Sequence, residues 1–274
     1  MGIVSDILGR IDSAVVSAGS QLFKNSADSL HNVLIGMCTA FLAVIGIMMV
    51  LGISKMTTRE TLQVVMRIFL VMLFGQTWGN FNAIYSAASD GFGNLALSYF
   101  KVAGSGSATS VTEAMETMAG NLQTNVDGVM TSVGSITRGV LGAVLYVILG
   151  LLMAAYVLIV GFAKIMTAVL LGLAPLAIIA TIFDKTKNLF EAWLSAMIGY
   201  MLYPVGTAGI IGTLIVVTDH TFQQMGGETG LADVLPFLVV VIVGIGALPS
   251  IPTFVASITG NFSLGTFAPQ SLTI

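Results

Sequence analysis

The stretch 139-GVLGAVLYVILGLLMAAYVLIVGFAKIMTAVLLGLAPLAIIATIF-183 decides the fold of this chain. Its 45 residues carry one charge, Lys164, and one proline, Pro175. A run of this length exceeds what a soluble core helix needs, and it contains enough residues for two membrane crossings. A charge and a helix breaker at membrane depth must be buried in protein, face water or reach an interface. How this run meets the membrane therefore determines the topology.

The composition predicts an all-α, polytopic membrane protein. The 274 residues are 56% hydrophobic and only 8% charged, whereas soluble domains carry about 25% charged residues. The apolar residues run continuously instead of alternating, which disfavours a β-barrel. A single cysteine, Cys38, leaves no intramolecular disulfide and no cysteine metal cluster within these residues.

Four further apolar stretches are long enough to be membrane spans. They cover residues 33–53, 61–85, 193–217 and 234–258. We therefore expect about five transmembrane helices, or six if the opening stretch crosses twice. Proline is expected to kink the fourth predicted span at Pro204, and Pro249 with Pro252 to break the fifth.

Residues 1–32 predict an amphipathic helix, because apolar residues at helical spacing are interspersed with charged ones. This helix lies on a membrane, on a partner or on the body of the protein itself. Short loops rich in Lys and Arg stay in the cytoplasm. Lys55 and Arg59 therefore place the loop after the first span inside, residues 1–32 in the periplasm, and residues 86–138 also in the periplasm. Residues 33–85 form the first two spans.

Positive charge also favours one crossing by the opening stretch. One crossing leaves Lys164, Lys185 and Lys187 all inside. Two crossings would place Lys185 and Lys187 outside. We expect residues 139–260 to hold the remaining spans, with a cytoplasmic re-entrant region near 165–192 that bends at Pro175. Residues 261–274 form a short tail.

The periplasmic segment contains a stripe of apolar residues at helical spacing that leads into the third span. Such a helix is about 45 Å long and needs a second helix or a partner to cover its stripe. That cover is either a hairpin with residues 82–102 of the same chain or identical neighbours in an oligomeric stalk. The stripe consists of Val111, Met115, Met118, Leu122, Val126, Val129, Val133, Ile136 and Val140.

Recognisable catalytic chemistry is missing from the sequence. It holds no HExxH zinc helix and no Walker phosphate loop. No Asp or Glu lies in the middle of a predicted span, which disfavours ion-coupled transport. We therefore expect no enzyme, and assign no catalytic, cofactor-binding or metal-binding residue. Arg67 lies about 9 Å along the second span, where it either snorkels to the cytoplasmic interface or lines a pore.

The stretch 172-GLAPLAIIATIFDKTKNLFEAWLSAMIGYMLYP-204 resembles the TrbL-type polytopic inner-membrane subunit of bacterial type IV secretion (conjugation) systems. The resemblance covers about 33 residues and rests on a family-like motif followed by small and aromatic residues up to Pro204. The motif residues are Ala174, Pro175, Leu176, Phe183, Thr186, Phe190 and Trp193.

The resemblance implies a structural channel or scaffold subunit that supports DNA or protein translocation and pilus assembly. Together with the long apolar stripe and the missing catalytic groups, it leads us to expect a homo-oligomeric ring in the inner membrane. The implied partners are a pilus or stalk component, inner-membrane and periplasmic scaffold subunits, separate ATPases, the lipid bilayer and, transiently, the translocated DNA or protein. It places the motif at the cytoplasmic face, where the candidate basic contacts are Arg67, Lys164, Lys185 and Lys187.

For Lys185 and Lys187 the alternatives are contact with a phosphate backbone or an ATPase, and ordinary positive-inside anchoring. The alternative function is a solute channel or secondary transporter. It predicts selective flux through purified protein without any partner.

Overall fold

A computed structural model of the chain describes residues 3–52, 58–104, 106–131, 135–183, 185–224 and 231–260. These residues form helices and contain no strand. The helices are α1 (Ile3–Val50), α2 (Thr58–Gly75), α3 (Trp78–Val102), α4 (Val111–Thr131), α5 (Ser135–Ile179), α6 (Lys187–Gln224), α7 (Leu231–Ala247) and α8 (Ile251–Thr259). Among the described residues, four helices are long and apolar enough to cross a membrane, and the bent pair α2–α3 makes a fifth candidate. The predicted all-α polytopic fold is therefore confirmed.

α1 joins two regions that the sequence separates. The predicted amphipathic helix and the predicted first span form one helix of 48 residues, about 72 Å long at the helical rise. No proline interrupts it. It ends before Gly52, whose φ of 69° is readily adopted only by a residue without a Cβ.

The predicted second span is broken. α2 and α3 are bent by 85° at residues 76–77. The side chain of Asn80 donates a hydrogen bond of 3.2 Å to the carbonyl of Leu73, one of the acceptors that the end of α2 leaves without a helical donor. A polar cap therefore stabilises the break within this apolar stretch.

The prediction of a continuous helix from Val111 to Val140 is wrong. The Tyr146 hydroxyl donates a hydrogen bond of 2.6 Å to the Asp127 carboxylate. A continuous helix would separate these two residues by about 28 Å along its axis. α4 and α5 therefore fold back on each other, so that the side chains can meet.

The predicted bend at Pro175 is also wrong. α5 contains Pro175 and continues to Ile179, followed by a 3-10 turn at Ala180–Ile182. The chain reverses only beyond this turn, before α6. Within the described residues 135–179 the helix neither forms a re-entrant hairpin nor makes two crossings.

The predicted interruption of the fifth span is confirmed, whereas the predicted kink at Pro204 stays a prediction. α7 ends at Ala247, a 3-10 turn covers Leu248–Ser250 and includes Pro249, and α8 then begins. The fifth predicted span is thus interrupted, because a proline nitrogen cannot donate to the helical ladder. Pro204 lies inside α6, where the Thr207 hydroxyl bonds the carbonyls of Tyr203 and Pro204, each at 2.9 Å.

The chain divides into two compact units. Unit 1 comprises residues 1–13, 88–165 and 199–258. Its core is built on fully buried large side chains that include Leu8, Phe100, Met115, Met118, Tyr156 and Ile211. Unit 2 comprises residues 14–87, 166–198 and 259–274. Its buried side chains include Phe23, Leu34, Val71, Leu171, Ile182 and Met197.

Contacts within unit 2 bring part of α1 beside the last part of α5. Gly19 packs against Leu171, and Gly172 packs against Leu22. Residues in contact lie at one membrane depth, whereas a bilayer core is about 30 Å thick. The predicted amphipathic helix (residues 1–32) and the predicted cytoplasmic re-entrant region (near 165–192) therefore include residues at one membrane depth. The side of the membrane on which each lies stays a prediction. The sequence could not show this proximity, because it depends on the packing of α1 against α5.

Candidate functional site

The family-like motif forms a single hairpin in unit 2, here called the α5–α6 hairpin (residues 170–193). Ala174, Pro175 and Leu176 lie in the last turns of α5, and Phe183 follows the 3-10 turn. Thr186 directly precedes α6, and Phe190 and Trp193 lie in its first two turns. Ala174 is fully buried, whereas Leu176 is half exposed. The structure therefore brings the predicted motif residues together.

Pro175 and Trp193 act on the same stretch of backbone. A proline cannot donate to the carbonyl four residues earlier, here Leu171, and its ring distorts the preceding turn. The indole nitrogen of Trp193 donates a hydrogen bond of 2.8 Å to the neighbouring carbonyl, that of Leu170. Neighbouring helices commonly supply donors near an intramembrane proline in this way. The indole thus links α6 to the turn that precedes Pro175.

Thr186 satisfies carbonyls at the end of α5. Its hydroxyl donates to the carbonyl of Ala180 at 2.6 Å and lies 3.2 Å from that of Phe183. Its backbone N–H donates to the same Phe183 carbonyl at 3.1 Å. A helix end leaves such acceptors without partners, and leaving them bare is costly in an apolar environment. Thr186 is therefore the polar cap of the hairpin.

Arg67 of α2 contacts the same end of α5. Its guanidinium donates to the carbonyl of Ile182 at 3.4 Å. The predicted basic residue is thus placed beside the family-like motif. Its snorkelling role and its pore-lining role both remain predictions.

Aromatic side chains pack the hairpin into unit 2. The ring centroids of Trp193 lie 5.7 Å from Phe190 and 6.2 Å from Phe81. The Phe183 ring lies 5.4 Å from that of Phe41 on α1. Such pairs add stability beyond the apolar area that they bury. The motif aromatics therefore fix the hairpin against α1 and α3.

The remaining predicted basic contacts differ from one another. Lys187 pairs with Glu191 in the next turn of α6 at 3.4 Å, and Lys185 is exposed in the turn. Lys164 belongs to unit 1, where it pairs with Asp12 of α1. The structure thus places Arg67, Lys185 and Lys187 at the end of α5 that precedes the turn, and Lys164 elsewhere.

The described members of the predicted apolar stripe differ in how deeply they are buried. Met115 and Met118 are fully buried in the core of unit 1, and Val111 is partly buried. Val140 is exposed. Met115 and Met118 are therefore covered by the chain itself. The side chains of the other predicted members lie outside the described residues; these members are Leu122, Val126, Val129, Val133 and Ile136.

Sequence reasoning missed three polar contacts. These are the acceptor for Trp193, the partner of Lys164 and the cap that Asn80 provides. For Trp193, the available signal was a side chain with an indole donor close in sequence to a helix containing proline. For Lys164, a counter-ion was required, but no spacing rule identified Asp12.

The TrbL/VirB6 plasmid conjugal transfer protein family matches residues 38–251 of this chain. An uncharacterized protein of Rickettsia typhi is 28% identical over 209 residues, which cover 67% of this chain and 21% of the relative. Uncharacterized proteins of Rickettsia prowazekii and Rickettsia felis are 28% and 27% identical over the same shares. The chain spans about a fifth of the length of these curated relatives. Because the family match covers more than half of the chain and includes the whole α5–α6 hairpin, this polytopic protein belongs to the TrbL/VirB6 family of plasmid conjugal transfer proteins.

Proposed function

We propose that this chain is a structural channel or scaffold subunit of a bacterial type IV secretion system. In the inner membrane, it would support the translocation of DNA or protein and the assembly of a pilus. The observation that carries the proposal is the family match over residues 38–251, which extends across the candidate membrane helices. The TrbL/VirB6 family consists of structural conjugation components. Energy for transport would come from separate ATPases.

The contacts of α1 favour a revised topology. With Lys55 and Arg59 inside, the other end of the 72 Å helix α1 lies in the periplasm. Asp12 and its partner Lys164 then lie toward the periplasmic side. Residues 165–183 cross the bilayer toward Lys185, over about 30 Å. A periplasmic amino terminus is retained, and the cytoplasmic placement of Lys164 is dropped.

The exposed face of α5 supports assembly into a ring of identical copies. Ten large apolar side chains form a stripe along this helix, about 54 Å long at the helical rise. A bilayer core covers only about 30 Å of it, so protein would cover the rest. These side chains are Val140, Val144, Val147, Leu151, Leu158, Phe162, Ile165, Val169, Leu173 and Leu176. This stripe replaces Met115 and Met118 as the candidate oligomer contact.

Two labelling sites test the topology. In a Cys38→Ser background, Ser13→Cys, next to Asp12 on α1, and Lys185→Cys should react with a membrane-impermeant maleimide from opposite sides of the membrane. Intact spheroplasts should label Ser13→Cys, and inside-out vesicles should label Lys185→Cys. Labelling of both positions from the same side would overturn the revised topology.

The secretion role is tested in a strain that lacks the native gene. Complementation with Val147→Asp should give inserted protein, but no cross-linked oligomer and no transfer of DNA or protein. Asn121→Asp, at an exposed polar position in unit 1, is the matched control and should transfer normally. If Val147→Asp formed normal oligomers and supported normal transfer, the exposed stripe of α5 would not be the oligomer contact.

A separate experiment addresses the alternative function. Purified wild-type protein in liposomes should not conduct solutes without its partners. Selective solute flux through these liposomes, with normal DNA and protein transfer in the deletion strain, would favour a solute channel or transporter instead.

A further inference from the structure

Lys164 is the sole charged residue of the stretch 139–183. In unit 1 its ammonium pairs with the Asp12 carboxylate, 152 positions away in the sequence. The Lys164 side chain is 23% exposed and that of Asp12 is 53% exposed. A lone charge on an apolar helix is costly in a bilayer, and partners on neighbouring helices offset this cost. Asp12 is therefore the counter-ion that the opening stretch itself lacks.

Apolar contacts beside this pair hold the two helices close together. A Cβ on Gly161 would lie 3.1 Å from Cδ1 of Ile11, so the absence of a side chain at Gly161 permits the approach. Leu8, one turn before Asp12, is fully buried in the same core. The apolar contact and the ion pair thus lie next to each other on α1 and α5.

The start of α1 has a second polar contact. The backbone N–H of Ser5 donates a hydrogen bond of 3.0 Å to the carboxylate of Glu116 on α4. A carboxylate at the first turn of a helix interacts favourably with the free N–H groups there. Residues 3–13 are therefore held by carboxylate contacts near both ends, one to α4 and one to α5.

We propose that the Asp12–Lys164 pair is a clamp that holds residues 3–13 and the Lys164 region of α5 at one membrane depth. The clamp neutralises Lys164 during and after insertion. It also fixes the register of α1 against α5, because the ion pair requires Asp12 to lie beside Lys164. This role concerns insertion and packing, and it does not depend on the secretion role proposed above.

Charge reversal tests the clamp in the full-length protein in native membranes. Asp12→Lys alone and Lys164→Asp alone should each lower the amount of correctly inserted protein between roughly tenfold and a hundredfold, because each places like charges together. The double variant Asp12→Lys with Lys164→Asp should restore most of it. A double variant no better than either single variant would overturn the proposal.

Two other variants serve as matched controls. Asp6 pairs with Arg10 on the same helix, with 53% and 80% of these side chains exposed. Asp6→Asn should be neutral, as expected for an exposed pair, whereas Asp12→Asn should lose inserted protein. Tyr156 is fully buried two turns before Lys164, and its hydroxyl has no hydrogen-bond partner among the described residues. Tyr156→Phe should also be neutral. Equal behaviour of Asp12→Asn and Asp6→Asn would argue against the clamp.

A cross-link tests the register in a form of the protein that keeps both charges. Ile11→Cys with Gly161→Cys, in the Cys38→Ser background, should be joined in the membrane by a short bis-maleimide that a reductant cleaves. A protease site inserted after Ser107 then leaves the two fragments joined until a reductant is added. Adding Asp12→Asn should reduce this cross-link severalfold. An absent cross-link in the protein with both charges would contradict the contact itself.

Discussion

The α5–α6 hairpin and the Asp12–Lys164 clamp are two solutions to the same problem, namely polar groups in an apolar environment. In the hairpin, uncharged donors satisfy backbone carbonyls, and Trp193 reaches Leu170 across 23 positions. In the clamp, two charges meet across 152 positions. The hairpin therefore leaves a contiguous motif in the sequence, whereas the clamp leaves only an isolated lysine without a visible partner.

The largest expected effect is at Trp193. Trp193→Ala removes the indole donor and the ring contacts with Phe81 and Phe190, and should lower the free energy of unfolding by about 3–5 kcal/mol. Trp193→Phe keeps an aromatic ring and removes the donor, and should cost about 0.5–1.5 kcal/mol, because the Leu170 carbonyl keeps its helical donor. Thermal unfolding in detergent measures both. Equal, small effects of the two variants would show that the hairpin does not depend on this contact.

The next largest loss of stability is expected at Gly172, one of two positions where α1 closely approaches α5. A Cβ on Gly172 would lie 2.8 Å from Cβ of Leu22 in unit 2, where neither atom can turn away. Gly172→Ala should therefore cost about 1–3 kcal/mol.

The matched comparison is Gly161→Ala in unit 1. The neighbouring atom there is Cδ1 of Ile11, at 3.1 Å, and lies at the flexible end of its side chain. This variant should cost clearly less than Gly172→Ala in the same thermal assay. The opposite order would indicate that the clamp region packs more tightly than the contact in unit 2.

The smallest effect on stability is expected at Glu113, whose exposed carboxylate caps the start of α4 outside both the α5–α6 hairpin and the clamp. The Glu113 carboxylate accepts hydrogen bonds from the backbone N–H and hydroxyl of Thr109, and these bonds lower the pKa of Glu113 below its ordinary value of 4.5. The stabilisation is present above pH 4.5 and is lost as the pH falls through the lowered pKa. The carbonyl contacts of the hairpin contain no group that titrates in this range.

Hydrogen exchange over residues 109–117, corrected for intrinsic rates, should therefore increase at low pH in the wild type. The same peptide of Glu113→Gln should show no such additional change. A similar increase in hydrogen exchange over the α5–α6 hairpin at low pH would contradict this difference between the cap and the hairpin.

Part of the fold was predictable because it depends on local composition and spacing. The helical class and the interruption near Pro249 follow from nearby residues, and the association of Pro175 with Trp193 in one motif came from the family resemblance. The bend at Pro175 and the continuity of Val111–Val140 were predicted wrongly. A proline inside a helix removes one donor from the helical ladder, and it does not require the chain to reverse there.

The sequence alone determined that this chain is an all-α membrane protein, and it located the hairpin motif, because apolar runs and short motifs are written in neighbouring residues. Only the tertiary structure decided where α5 ends, that α4 folds back, and that Asp12 is the partner of Lys164. Helical periodicity defines the face of one helix, but it contains no information on which distant helix covers that face. Lys164, the single charge in the stretch 139–183, therefore has a partner, Asp12, that is far away in the sequence.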